Sequence, residues 1–279
     1  MVADVSTTLM RIDGINVLLR EAGPRDAREA VVFVHGNPGS GADFSELIAK
    51  LGESRRVLAP DMPGYGKSDR PVDFDYTVEG YATFLGRIFD EKGVDRVHLA
   101  LHDFGGAWGL AWAAFNIERA KSLVLFNIGL MPGYEWHKLA RIWRTPVLGE
   151  LSMLTMTKSM FSKALNAENP KPFPDAFIDR MYADMDWPMK RGVLKLYRAS
   201  SNPGEAAARL APVFRENRLP ALIIWGEADT YVPVQFANMQ KDFFDAEIHT
   251  LPNAGHWPMI DEPAEVERLV LAFFEAQAG

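Results

Sequence analysis

The run RVHLALHDFGGAWGLAWAAF, residues 96–115, changes character in its middle. Its first half is β-branched and apolar enough for a buried strand, and its second half has the content of a buried helix. Between them His102-Asp103-Phe104-Gly105-Gly106 leaves no room for a loop, and the two glycines let strand and helix approach closely. A sharp strand-to-helix turn of this kind presents the residue at its apex. In the G-x-S-x-G form that residue is a serine nucleophile, and here it is Asp103. The plain structural alternative is a helix cap, a position that aspartate favours.

Outward from this turn, AVVFVHG, RVLAPD and SLVLFNIG have the same buried-strand character, with the amphipathic stretches DFSELIAKLG and TVEGYATFLGRIFDEKG between them. Such alternation predicts an α/β fold, a mostly parallel sheet flanked by helices on both faces. TLMRIDGINVLLREAG predicts a hairpin turning at Asp13-Gly14. From Met131 to Arg218 the chain is rich in Met, Trp, Pro and helix-like segments without a strand, which predicts an inserted helical unit over 131–218. It divides a core made of 1–130 and 219–279, where ALIIWGEAD, VQFANMQKDFF, AEIHTLPNAGH and AEVERLVLAFFEAQ resume the alternation.

The 279 residues suit one large domain carrying an insertion. Lys plus Arg is 30 and Asp plus Glu is 37, a net charge of −7, so no nucleic-acid or membrane partner is expected. The absence of cysteine excludes disulfides and thiolate chemistry and fits a reducing compartment. MVADVSTTLMRIDG lacks the basic and long apolar regions of a secretory signal, and a cytoplasmic location is expected. No H-E-x-x-H or similar cluster calls for a metal, and no cofactor is expected.

Five motifs then fall in order: HGNPG (35–39), DMPGYGKSD (61–69), HDFGG (102–106), WGEADTYVP (225–233) and NAGHWP (253–258). With the layout above, the chain resembles the α/β-hydrolase superfamily over nearly its whole length. The resemblance is closest to its aspartate-nucleophile branch, the epoxide hydrolases and haloalkane dehalogenases, with 131–218 as the cap. It implies Asp103 as nucleophile, Asp229 as triad acid and His256 as base, each after a predicted strand. Glu227 is the rival carboxylate, and Asn127 cannot ionise. The resemblance also implies backbone donors for an oxyanion at Asn37 and Phe104, in a turn shaped by Gly36. His98 and His249 read as structural, His137 as a surface or packing residue, and His102 should face away from Asp103 by strand alternation.

A carboxylate nucleophile narrows the chemistry. Attack on an ester would leave an anhydride, whereas attack on a saturated carbon leaves an alkyl ester that a base-activated water can hydrolyse. Dehalogenases of this kind hold halide with the Asn of H-G-N-P and a Trp after the nucleophile. Here Asn37 is present, but Phe104 takes the Trp position. Epoxide hydrolases use cap tyrosines, and LKLYRAS supplies Tyr197. Tyr134, Trp136 and Tyr182 are further cap residues that could meet substrate. Epoxide opening on a small apolar substrate, with water, is the favoured reading. Halide release is the alternative and a non-catalytic binding protein the third; monomer and dimer both stay open.

Overall fold

The apolar runs form one eight-stranded sheet in a computed structural model that describes residues 3–200 and 202–277. The strands are β1 (Ser6–Ile12), β2 (Ile15–Ala22), β3 (Glu29–Val34), β4 (Val57–Pro60), β5 (Arg96–His102), β6 (Ala120–Phe126), β7 (Pro220–Gly226) and β8 (Asp245–Leu251). Their spatial order is β1-β2-β4-β3-β5-β6-β7-β8. β3 to β8 run parallel, and the β1–β2 hairpin is joined antiparallel to β4. Asp13 and Gly14, with φ of 50° and 83°, make the expected turn, and Ile12 pairs with Ile15.

The helices before the insertion are α1 (Ser45–Leu51), α2 (Val78–Glu91) and α3 (Phe104–Phe115). Between β6 and β7 lie α4 (Lys138–Arg144), α5 (Leu148–Thr155), α6 (Lys158–Ala167), α7 (Asp175–Asp184), α8 (Trp187–Ala199) and α9 (Pro203–Asn217). The chain closes with α10 (Gln235–Met239), α11 (Pro258–Asp261) and α12 (Pro263–Ala276). None of the described helices is long and apolar enough to cross a membrane.

Strand alternation sorts the core into two apolar layers. Leu99 and Leu101 of β5 join Ile88 of α2 and Trp108 of α3 on one face. Ala100 joins Phe33, Ile48 of α1 and Phe274 of α12 on the other. The last inserted helix, α9, packs on α3, and Phe214 sits 5.2 Å from the Phe244 ring of the core. The unit expected over 131–218 therefore includes one helix that covers the sheet.

At the turn that opened the sequence, Asp103 holds φ 50° and ψ −126°. A non-glycine residue pays for that backbone, and the crowding around it leaves little alternative. A Cβ on Gly105 would stand 2.2 Å from the Val34 carbonyl oxygen, and one on Gly106 2.3 Å from Ile128 Cγ1. Gly105→Ala should cost about 1–3 kcal/mol through backbone displacement. Urea denaturation measures it, and unchanged stability would show that α3 does not press on β3 as described.

Candidate active site

Asp103 stands at the N-cap position of α3, yet its side chain caps nothing. Instead Oδ1 accepts the Asn37 backbone N–H at 2.6 Å, and Oδ2 lies 3.5 Å from His256 Nε2. The capping alternative therefore does not describe this carboxylate. Gly36 permits the approach of the two turns, since a Cβ there would be 2.2 Å from Asp103 Oδ1.

His256 follows β8 and Asp229 follows β7, so both reach the carboxyl edge of the sheet where β5 ends. His256 Nδ1–H donates to Asp229 Oδ2 at 2.7 Å. Asp229 Oδ1 accepts the Tyr231 and Val232 N–H groups at 2.8 and 2.9 Å, and Asn127 Nδ2 donates to Oδ2 at 2.6 Å. Glu227 is exposed and accepts from Thr250 Oγ1, so the geometry separates the two carboxylates. Asn127, excluded above only as an acid, is a structural tie: its Oδ1 accepts the Gly226 N–H at 3.0 Å and its Nδ2 also reaches the Gly255 carbonyl. The available signal was a polar residue directly after the apolar strand β6.

His102, expected above to face away from Asp103, has a use of its own. Its Nε2–H donates to the His256 backbone carbonyl at 2.7 Å, with ring centres 4.8 Å apart. Burial, then the charge of His256, pushes its pKa down to about 4, so it stays a neutral prop. His98 bonds Ser122 and Glu29, and His249 bonds Glu247, both remote from this cluster.

Burial alone would lower the pKa of His256, but the charge of Asp229 and the bonds to both aspartates outweigh it and lift the value to about 10. Burial would raise Asp103, and the hydrogen bond and charge of His256 overcome that, holding it at about 2. At neutral pH Asp103 is a carboxylate and His256 an imidazolium.

A cavity open to the surface ends on Asp103 and His256. Tyr197 and Asn37 stand in its wall, with Asn37 Nδ2 donating over a long 3.4 Å to Tyr197 Oη. Burial raises the Tyr197 phenol well above its ordinary value and keeps it protonated. Phe104 sets its ring edge-on to Tyr197 at 5.0 Å, behind the wall.

The other three expected contacts do not line this cavity. Tyr134 donates to the Tyr231 carbonyl, Trp136 Nε1 to the Ser200 carbonyl, and Tyr182 to the Met156 carbonyl, so each polar end is turned to backbone. His137, taken above for a surface or packing residue, does line it. Its Nδ1 accepts the Ala140 N–H at the start of α4, and burial pushes its pKa down to about 4. A neutral ring whose Nδ1 accepts carries its proton on Nε2, which makes it a second donor near Tyr197. The ring centres are 6.4 Å apart.

Residues 29–263 match the sequence profile of the alpha/beta hydrolase fold family. The chain is 28% identical to a cis-3-alkyl-4-alkyloxetan-2-one decarboxylase of Xanthomonas campestris, over 97% of each chain. It is 25% identical to haloalkane dehalogenase 2 of Mycobacterium tuberculosis, over 88% of this chain and 87% of that one. Among solved structures, the epoxide hydrolase CorEH superposes with a TM-score of 0.81 at 20% identity, covering 98% of this chain and all of its own.

The electrostatics give a pH signature. His256, raised from 6.5, contributes stability fully below about 6.5 and loses it as pH rises through about 10. Asp103, lowered from 3.8, contributes above about 3.8 and loses it as pH falls through about 2. Asp103→Asn removes one of the two carboxylates facing the ring, so an NMR titration should show His256 lowered by about one unit or more. An unmoved value near 10 would mean that Asp103 does not act on it.

Proposed function

The chain belongs to the α/β-hydrolase fold family, and from that premise we propose that it opens epoxides to diols through a covalent ester on Asp103. One observation carries the choice: an ionised Asp103 and a protonated Tyr197 share one cavity, and the Tyr197 oxygen accepts from Asn37, so its proton is free for substrate. Helices α4 to α8 act as the cap, and the Met-rich wall suits a small apolar substrate.

In the first step Asp103 Oδ2 attacks an epoxide carbon, the carbon–oxygen bond breaks, and the oxygen takes the Tyr197 proton, with His137 Nε2–H as a second donor. The ester carries no charge, so His256 loses one of the two carboxylates that raised its pKa and returns a proton to the Tyr197 phenolate. Neutral His256, held by Asp229, takes a proton from water as the oxygen attacks the Asp103 carbonyl carbon. The backbone N–H groups of Asn37 and Phe104 receive the oxyanion. Collapse expels the diol oxygen, which takes the proton from His256, and the regenerated Asp103 acid returns its own proton to the imidazole.

The decarboxylase relative is named for an oxetan-2-one, another strained oxygen-containing ring. Halide release is the second reading. It is favoured by the Asn37 amide in the wall and by the Trp143 indole N–H, which is buried there without a partner. The hydrogen-bonded pair of Asp229 and His256, aimed at Asp103, argues against a purely binding role.

His256→Gln should stall the second half-reaction, and intact-protein mass spectrometry with an epoxide should find the adduct on the peptide containing Asp103. An adduct elsewhere sinks the assignment.

Tyr197→Phe should slow alkylation by epoxides about 10²- to 10⁴-fold in single-turnover kinetics, the usual worth of a general acid, while sparing any bromoalkane activity. Bromide release by the native protein without epoxide turnover would transfer the chain to the second reading.

A further inference from the structure

The side of α5 turned away from the cavity is apolar and uncovered. Leu148, Leu151 and Leu154 are 53%, 55% and 65% exposed, and Val147 just before them is 74% exposed. At 3.6 residues per turn these four positions fall within a sector of about 120°. Met153 points the other way, and with Met156 it lines the cavity. Nine large apolar side chains are exposed among the described residues, and four of them belong to this one short segment. Val147 also holds φ of 70°, a strained value for a β-branched residue.

Charge indicates what covers this face. α5 packs with α4 and α8, and the three helices carry seven Lys and Arg against one acidic residue, Glu150, in a chain of net charge −7. Arg198 pairs with Glu150 at 2.7 Å, Arg141 with Glu135 at 3.2 Å, and Lys195 donates to the Val72 carbonyl, while Lys138 and Arg191 are exposed with no carboxylate partner among the described residues. A second copy docked face to face would bring these mostly basic helices against their own kind. A surface that accepts leucines to shallow depth and is itself negative suits it better, and an anionic phospholipid bilayer has both properties.

We propose that α5 docks on such a bilayer, its leucines entering the boundary between headgroups and acyl chains, so that a lipid-dissolved substrate reaches the cavity behind α5. The whole-chain charge pointed away from membranes because the acidic core masks the basic helices. Docking is peripheral. The cargo rests on the proposed epoxide reading; the docking does not, and it is measured without turnover.

The full chain is sedimented with vesicles of phosphatidylcholine alone and with about one-third phosphatidylglycerol. It should pellet with the anionic vesicles, lose them in high salt, and bind neutral ones weakly. The combined Leu148→Ser, Leu151→Ser, Leu154→Ser variant should lose about tenfold or more of that binding while hydrolysing a water-soluble epoxide at the native rate. Lys138→Glu with Arg191→Glu should weaken it likewise. No binding to anionic vesicles, or equal binding by the leucine variant, overturns the proposal. So does light scattering that finds a native dimer dissociated by the same three substitutions, which would assign the face to a second copy.

Discussion

One buried cation, the imidazolium of His256, lets the buried Asp229 and the half-buried Asp103 carboxylates coexist at the edge of the sheet. Without it, Asp103 and Asp229 would be like charges facing each other in a medium that screens poorly. With it, each aspartate faces a positive ring, and the remaining oxygens are filled by backbone N–H groups of Asn37, Tyr231 and Val232. Removing the cation would leave two like charges uncompensated, the expensive outcome for buried ions, whereas neutralising Asp103 leaves the imidazolium paired with Asp229.

The scaffold holds that arrangement from several sides. Asn127 links the ends of β6, β7 and the histidine loop through Asp229, Gly226 and Gly255. Asp261 Oδ2 accepts the Gly255 N–H at 2.8 Å, and His102 pins the His256 carbonyl from below. A Cβ on Gly226 would sit 2.1 Å from the Gly255 carbonyl oxygen, so the two loops approach as closely as glycine allows. These contacts fix the ring before any substrate arrives, which is the preorganisation that electrostatic catalysis requires.

The sheet and the three charged residues were legible because their signals are local. A run such as AVVFVHG has the composition of a buried strand wherever it falls, and Asp103 and Asp229 follow such runs, while His256 follows the half-exposed strand AEIHTL. The cavity wall was not legible in the same way. Tyr134, Trp136 and Tyr182 have the composition of substrate contacts, but each polar end finds a backbone carbonyl first. His137 looked like a surface residue because its role depends on where α4 meets Tyr197, a tertiary relation that spacing does not encode. Asn127 was recognisable only as a residue that could not ionise, since the loops it joins are about a hundred residues away along the chain.

The same charge pattern gives the proposed reaction its order. While Asp103 is ionised, His256 is held protonated and cannot act as a base, so water near it is not activated and the carboxylate meets the epoxide as a bare nucleophile. Alkylation removes the Asp103 charge and leaves the ring facing Asp229 alone. A strong acceptor is then the phenolate just created at Tyr197 in the same cavity, whose burial makes it a strong base. The proton leaves the ring for that acceptor, and only then is a neutral imidazole available to deprotonate water. Base catalysis is thus withheld until there is an ester to hydrolyse, and the control comes from neutralising one buried charge rather than from moving any part of the fold.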